Sequence, residues 1–174
     1  WLERARIRLW NLYQPEEALS ELDALLKYDP DWSEVKSVRA SALMMLDRFD
    51  EAAEAAEALK EAAPGYAELL RALAFINAGR WNEAKDALSA LCADESYGAL
   101  AQAYLALALT DGFENWDGAY QALAEAFAGG AAEMDAYDAY LQLGHYYRKR
   151  GDLEQAALAY SMADLANGED PGAM

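Results

Sequence analysis

A six-residue motif recurs five times along this chain and constrains its fold more than any other feature. The copies read QPEEAL, RFDEAA, RWNEAK, NWDGAY and DLEQAA, and helix-type sequence flanks each of them. Aligned on a shared anchor alanine, successive copies lie 34, 32, 35 and 37 residues apart, at Ala18, Ala52, Ala84, Ala119 and Ala156. Self-similarity at this period predicts a stack of helical hairpins.

Each anchor alanine begins an apolar stripe with helical spacing. Four residues further on, the chain has Leu22, Ala56, Leu88, Leu123 and Tyr160. Seven residues further on, it has Leu25, Leu59, Leu91, Ala126 and Ala163. Positions i, i+4 and i+7 share one face of a helix. We therefore expect a helix in each copy whose small anchor residue lets a neighbouring helix approach closely.

A turn precedes the anchor alanine. Asp47, Gly79 and Gly151 stand at the turns of the second, third and fifth copies, and glycine readily takes the left-handed conformation that ends a helix. Three residues before the anchor, bulky side chains are expected to wedge the turn: Phe49, Trp81, Trp116 and Leu153. The first copy has Pro15 there, which suits the first turn of a helix.

The segment 139–160, AYLQLGHYYRKRGDLEQAALAY, closely resembles the tetratricopeptide repeat. The family's pattern of aromatic and small residues is matched by Tyr140, Leu143, Gly144, Tyr147, Gly151, Ala156, Tyr160 and Ala163. Pro30 and Pro64 match the family's closing proline in the first two repeats, and the third and fourth repeats lack it. The resemblance covers nearly the whole chain. It implies an all-α fold, a right-handed α-solenoid of about five helix-turn-helix repeats.

The predicted array occupies residues 1–166, with repeats at about 1–30, 31–64, 65–95, 96–130 and 131–166. The expected helix pairs are 2–12 with 15–28, 32–46 with 49–62, 66–78 with 81–93, 96–110 with 116–128, and 133–149 with 152–166. Segment 110–118 is expected to be a long inner turn of the fourth repeat, as a spacer or a protruding loop. Residues 167–174 are predicted to be a flexible tail, since Gly and Pro stop the last helix.

The chain is strongly acidic, with a formal net charge of −17. No Lys or Arg occurs between Lys85 and Arg148, and that stretch carries ten carboxylates. Nucleic acid and anionic membrane surfaces are disfavoured, because binding them needs cations. No apolar run approaches the ~18 residues that span a bilayer. A basic or neutral protein partner is expected, although solubility and favourable charges at helix starts are alternative roles for the carboxylates.

Residues with catalytic or metal-binding chemistry are sparse. Cys92 is the single cysteine, which excludes an internal disulfide, and its apolar sequence context predicts a small buried side chain. His145 is the single histidine, and it lies far from Cys92 along the chain. The sequence has no metal-ligand spacing, glycine-rich phosphate loop or Ser–His–Asp pattern. We therefore predict no enzyme activity, no cofactor and no metal site.

In tetratricopeptide arrays the first helices of successive hairpins line a concave surface, so the resemblance implies a groove for a partner. Its candidate residues are Met44, Met45, Leu69, Leu73, Ile76, Asn77, Tyr104, Leu141, His145, Arg148 and Lys149. The middle of this set is apolar with adaptable methionine, and one end is cationic. The hypothesis is that it binds an amphipathic or extended segment of another protein, with an acidic group near Arg148 and Lys149. Packing between hairpins is the alternative role of each residue.

The resemblance leaves several functions open. Family members that clamp the acidic tails of heat-shock chaperones use Lys and Asn on first helices; Ser41 and Leu73 stand there in this chain, so that function is not expected. An interaction module inside a longer protein is the main prediction, since the sequence starts at Trp1 without a visible secretory leader. The alternatives are an assembly subunit that self-associates through uncapped ends, a secretion-type chaperone for an amphipathic export segment, and a regulatory domain fused to an effector.

Overall fold

The computed structural model of the chain describes residues 1–128 and 136–166, and those residues form helices and turns without any strand. The helices are α1 Leu2–Arg6, α2 Pro15–Tyr28, α3 Ser33–Met45, α4 Phe49–Glu57, α5 Pro64–Asn77, α6 Trp81–Leu91, α7 Gly98–Phe113, α8 Trp116–Ala128, α9 Ala136–Arg150 and α10 Leu153–Ala166. A π-helical segment, Ile7–Asn11, continues α1. The predicted tail at 167–174 and the predicted start of the ninth helix at 133–135 lie outside the described residues.

The chain divides into two compact units, unit 1 at Trp1–Ala87 and unit 2 at Leu88–Met174. Unit 1 has an aliphatic core whose largest fully buried side chains include Leu9, Leu22, Val35, Leu43 and Leu59. In unit 2, one core cluster packs Ala106, Ala119, Ala122, Leu123 and Tyr146 together. Each unit therefore buries apolar side chains from both members of its helix pairs.

The anchor alanines are buried throughout, as the motif predicts. Each is at most 3% exposed, and each lies on the second helix of a pair: Ala18, Ala52, Ala84, Ala119 and Ala156. The positions four residues later are also buried in the first four copies, at Leu22, Ala56, Leu88 and Leu123. A residue without a long side chain at the anchor allows close helix approach, and the motif therefore marks a buried helix contact in each hairpin.

The inner turns share one backbone solution. Every described residue with a positive φ lies five positions before an anchor alanine: Tyr13, Asp47, Gly79, Glu114 and Gly151. In the third hairpin, the Gly79 N–H donates to the Ile76 carbonyl at 3.0 Å and the Arg80 N–H donates to the Phe75 carbonyl at 2.8 Å. This pair of bonds is the Schellman motif, which satisfies the last carbonyls of a helix. The second and fifth hairpins have the same pair.

The first and fourth hairpins turn through one more residue. The Gln14 N–H donates to the Arg8 carbonyl at 2.9 Å, and the Asn115 N–H donates to the Leu109 carbonyl at 2.9 Å. The prediction of a long inner turn at 110–118 was wrong, because α7 continues through Phe113 and only two residues separate it from α8. Thr110 is 4% exposed, so helical packing holds the segment that the sequence assigned to a turn.

Two helix boundaries also differ from the sequence prediction. The helix expected over 49–62 ends at Glu57, and the chain continues in tight turns such as the Leu59 N–H to Ala56 carbonyl bond of 2.9 Å. Such i→i−3 bonds are common where a helix ends. The next helix starts two residues earlier than expected, at Pro64, because proline is well suited to the first helical position.

In the fifth hairpin, a large side chain on the second helix faces a glycine on the first helix. Where the other second helices have Leu or Ala, α10 has Tyr160, whose ring packs against Gly144 of α9. A Cβ atom on Gly144 would lie 2.5 Å from the ring of Tyr160, closer than any real contact of this kind. The glycine is therefore required by the tyrosine that faces it.

Candidate functional site

The groove candidates of unit 1 lie at the C-terminal end of α3 and on α5. Met45 is 41% exposed and Asn77 is exposed, whereas Met44, Leu73 and Ile76 are half-buried. The Asn77 side chain donates to the Leu73 carbonyl at 2.9 Å, which holds its amide along the helix. These residues offer a mixed apolar and amide surface.

Leu69 corrects the candidate set. Its side chain is 4% exposed, so it is packed inside the protein and unavailable to a partner. Leu69 and Leu73 are four residues apart and share one side of α5, yet only Leu73 keeps accessible area, so the packing around each turn decides which of them is exposed.

The candidates of unit 2 lie on α7 and α9. Tyr104, Leu141 and His145 are half-buried, and Arg148 and Lys149 are exposed. On α9 a rotation of about 100° per residue puts 141, 145, 148 and 149 on one side of the helix. The structure therefore brings the four α9 candidates to a common face.

A polar network ties this face of α9 to α7. His145 Nε2 lies 2.8 Å from Asp111 Oδ1, and the Arg148 guanidinium lies 3.1 Å from His145 Nδ1. Because arginine can only donate, Nδ1 is the acceptor and the imidazole proton resides on Nε2, which donates to Asp111. Lys149 Nζ lies 3.4 Å from the same Asp111 oxygen.

A second bond repeats the first along the same two helices. The Tyr104 hydroxyl donates to Asp138 Oδ1 at 3.1 Å, across 34 residues, and Asp111 and His145 are also 34 residues apart. The two contacts are seven residues apart on each helix, which is about two turns. These side chains hold α7 and α9 in register. They therefore have a structural role in addition to any contact with a partner.

The network changes the charge that the face offers. Asp111 offsets the ammonium group of Lys149, and the Arg148 guanidinium is turned toward His145. An incoming acidic group therefore meets a partly neutralised cluster. The attraction is weaker than the two adjacent basic residues in the sequence suggest.

Another side of α9 carries an aromatic cluster that sequence reasoning missed. Tyr146, 2% exposed, is its centre. Its ring lies 5.8 Å from that of Trp116, 6.1 Å from that of Tyr120 and 5.3 Å from that of Tyr147, measured between centroids. Arg150 donates to the Tyr146 hydroxyl at 2.7 Å, and its guanidinium lies 5.6 Å from the ring centroid.

Two open cavities adjoin this cluster. One of about 620 Å³ is lined by Glu114, Asn115, Trp116, Asp117 and Arg150. The other, of about 470 Å³, is lined by Asp117, Tyr120, Gln121, Tyr146, Tyr147 and Arg150. Arg150 and Asp117 border both cavities. Tyrosine and tryptophan residues close to a turn were the available signal, but the sequence analysis used Tyr147 only as a match to the family's pattern.

Unit 1 has an apolar cleft of about 670 Å³ along α2. Its walls are formed by Trp1, Arg4, Ser20, Glu21, Ala24, Leu25, Tyr28 and Trp32. Arg4 and Arg8 each lie 2.9 Å from Glu21 Oε1, and Glu21 Oε2 is buried without a hydrogen-bond partner. The cleft was not predicted, although Leu25 in its wall belongs to the apolar stripe of the first repeat.

The described residues contain little reactive chemistry. Cys92 Sγ donates to the Leu88 carbonyl at 3.1 Å, and burial raises the pKa of this thiol, so little of the nucleophilic thiolate forms at neutral pH. Within 1–128 and 136–166, no three His, Cys, Asp or Glu side chains are placed to hold a metal ion. None of the described helices is both long and apolar enough to cross a bilayer.

Comparisons with known proteins give a fold. No family model and no curated protein matches the sequence. The tetratricopeptide-repeat protein TTC0263 of Thermus thermophilus matches at a TM-score of 0.70, with 20% identity over 96% of this chain and 90% of that one. MamA of Desulfovibrio magneticus matches at 0.64, with 20% identity over 98% of this chain and 94% of that one.

A third match comes from a larger assembly. The structure of the APC/C hetero-tetramer Cut9–Hcn1 contains a chain that matches at a TM-score of 0.76, with 18% identity over 98% of this chain and 33% of that one. At these identities the likeness concerns the fold. The chain therefore has the all-α helical-hairpin fold of tetratricopeptide-repeat solenoid proteins.

Proposed function

We propose that the chain is a protein-interaction module that binds a peptide or helical segment of another protein. The observation that carries this proposal is the fold, which it shares with a chain of the Cut9–Hcn1 hetero-tetramer, a protein assembly. The scarcity of catalytic chemistry among the described residues points in the same direction.

The proposed first-helix surface has one face in each unit, made of the candidates that keep accessible area. In unit 1 these are Met44, Met45, Leu73, Ile76 and Asn77. Methionine and leucine side chains accept the apolar face of an amphipathic segment, and Asn77 adds a hydrogen-bonding edge.

Unit 2 contributes the face with Tyr104, Leu141, His145, Arg148 and Lys149. Because Asp111 offsets Lys149, Arg148 is the main contact for an acidic group or a carboxyl terminus of the bound segment. The remaining surface is acidic and speeds the approach of a basic partner more than it tightens the complex.

Selection of binding peptides from a random displayed library tests this proposal. Selected peptides are measured by calorimetry against the wild type and against Leu73→Lys and Tyr104→Lys. Leu73→Lys should weaken the peptides that bind unit 1, and Tyr104→Lys those that bind unit 2, each at least about tenfold, since a charge enters an apolar contact. Leu153→Lys, at an exposed position of α10 outside both proposed surfaces, is the matched control and should leave affinity unchanged. Equal affinity in all four proteins would refute the first-helix surface.

Self-association is the second candidate function, and the outer face of α10 favours it. Leu158, Met162 and Leu165 are 58%, 37% and 62% exposed and share one stripe at i, i+4 and i+7. A second copy that covers this stripe would give concentration-dependent light scattering, and Leu158→Lys would abolish that dependence. A strict monomer at high concentration excludes this candidate.

A further inference from the structure

The aromatic cluster of unit 2 already holds one guanidinium. Arg150 donates to the Tyr146 hydroxyl at 2.7 Å and lies 5.6 Å from the Tyr146 ring centroid. The hydroxyl belongs to a side chain that is 2% exposed, so this single donor satisfies a buried polar group. The geometry of a cation on this cluster is therefore visible in the protein itself.

Arg80 is an arginine that several contacts hold in place. It stands over the Phe75 ring at 4.5 Å and also pairs with Asp50 at 2.7 Å and Glu83 at 2.9 Å. The contacts of Arg150 described above are both with Tyr146. Arg150 is therefore held by fewer contacts than Arg80. Because its side chain is also exposed, moving it into solvent costs less free energy.

The surroundings of Arg150 favour positive charge. Asp117 lines both cavities beside it and Glu114 lines one of them, and the sequence from Asp86 to Tyr147 contains no Lys or Arg. The hydrogen bond to Tyr146 is the main cause that raises the pKa of Arg150, and the charges of Asp117 and Asp152 add to it. One cation thus faces several carboxylates on a net acidic surface.

We propose that this site, lined by Trp116, Tyr120, Tyr146, Tyr147 and Asp117, binds an arginine side chain of a partner protein, which takes the place of Arg150. The incoming guanidinium donates to the Tyr146 hydroxyl and stacks on the tyrosine rings, and Asp117 pairs with its charge. Arg150 swings into solvent as its own position is filled. Cation–π contact and a charge-assisted hydrogen bond supply the affinity.

Arginine fits better than other side chains. Its planar guanidinium stacks on an aromatic face and donates at the same time, which the compact ammonium of lysine does less well. A carboxylate would meet Glu114 and Asp117, and an aliphatic side chain would leave the carboxylates unpaired. The residues that line this site differ from those of the proposed first-helix surface, so the two can be tested separately.

The test follows the indole N–H signals of the five tryptophans by NMR. Trp116 is the single tryptophan after Trp81, and Trp116→Phe assigns its signal. The probes are the capped tripeptide acetyl-Gly-Arg-Gly-amide and its lysine, norleucine and glutamate counterparts. We expect a saturable shift of the Trp116 signal with the arginine peptide, a weaker effect with lysine, and none with norleucine or glutamate.

Two substitutions should move the affinity in opposite directions. Arg150→Ala removes the internal competitor and frees the Tyr146 hydroxyl, so the arginine peptide should bind about two- to fivefold tighter. Arg150→Met, which keeps an apolar stem, should show the same gain and guards against misfolding of the alanine variant. Asp117→Asn should weaken binding about two- to fivefold. Glu154→Gln and Arg80→Ala are charge-matched controls and should leave the affinity unchanged.

Three results would overturn the proposal. An equal shift with the norleucine peptide would make the site a non-selective apolar cavity. Tighter binding of the glutamate peptide, lost in Arg150→Ala, would make Arg150 an anion receptor. Unchanged or weaker arginine binding in both folded Arg150 variants would show that no displacement occurs. None of these results bears on the first-helix surface, whose test uses other residues.

Discussion

Unit 1 and unit 2 repeat the same helical hairpin, but different side-chain chemistry holds their helices together. In unit 1 the core is aliphatic, and arginines cross between helices to carboxylates, as in Arg39 with Asp23 at 2.7 Å and Arg80 with Asp50 at 2.7 Å. In unit 2 aromatic rings pack around Tyr146, and hydroxyl, imidazole and amide groups also bond to carboxylates across helices, as in Tyr104 with Asp138 and Gln102 with Glu125, beside the ion pair of Lys149 with Asp111.

The difference shows which parts of the repeat are obligatory. Both units keep the small buried anchor residue and the left-handed turn residue five positions before it. The side chains beside these two features vary freely, provided that volumes match across the hairpin, as Gly144 and Tyr160 illustrate. The backbone contact is thus shared, and the surface that each unit shows to a partner is not.

Truncation of a core leucine gives the largest expected effect and tests whether both units depend on the core alike. Leu43→Ala in unit 1 and Leu123→Ala in unit 2 remove side chains that are at most 1% exposed. Each should lower the free energy of unfolding by about 3 kcal/mol, through lost burial and the remaining cavity. Urea denaturation measures the loss, and hydrogen exchange assigns it to one unit. A cost below about 1 kcal/mol in either unit would mean that its core collapses around the gap.

The exchange of volume in the fifth hairpin gives the next largest effect. Gly144→Ala should cost about 1–3 kcal/mol, because the new methyl group collides with the Tyr160 ring. Combining it with Tyr160→Leu should recover most of that loss, since leucine occupies this position in three other repeats. A double-mutant cycle by thermal denaturation measures the coupling, and additive costs would contradict the pairing.

Substitutions of turn residues should change stability by a smaller amount, in opposite directions at two turns. Gly79→Ala should destabilise by about 1 kcal/mol, since alanine at a φ of 68° is strained. Glu114→Gly should stabilise by about 0.5–1 kcal/mol, because a side chain now sits at a φ of 52°. The two melting temperatures should move in opposite directions. Shifts of the same sign would indicate that the turns are not equivalent.

Cross-helix polar contacts give the smallest effects and separate the units by salt dependence. Asp50→Asn in unit 1 should cost less than about 1 kcal/mol and the cost should vanish in about 1 M salt, because the carboxylate is exposed. Tyr104→Phe in unit 2 should cost about 1 kcal/mol at any salt concentration, since the donor is a neutral hydroxyl. Equal salt responses would remove the distinction drawn between the units.

Local sequence signals predicted the repeat, its period and its buried anchors, because these depend on side-chain size at helical spacing. Gly79 and Gly151 were recognised as turn residues for the same reason. Glu114 was missed, since glutamate seldom takes a positive φ, and the surrounding letters instead suggested a long loop. In that segment the packing of α7 overrides a weak turn signal.

Side-chain exposure was predicted less well than helix position. Leu69 was assigned to a partner surface and is buried, while Leu73 one turn later keeps accessible area. Arg148 and Lys149 were predicted to lie near an acidic group of a bound segment, and Asp111, which lies on the neighbouring helix α7, offsets part of their charge. The sequence did not reveal either feature, because the burial and charge of a residue depend on the neighbouring helix.

The amino-acid sequence alone determined that this chain forms helical hairpins, where they turn and which small residues they bury, because these properties follow from local periodicity and backbone preference. Only the tertiary structure decided that Tyr146 gathers Trp116, Tyr120, Tyr147 and Arg150 into one site. The physical reason is that such a site depends on distances between helices. Those distances are fixed by packing across the core and leave no periodic trace in the chain.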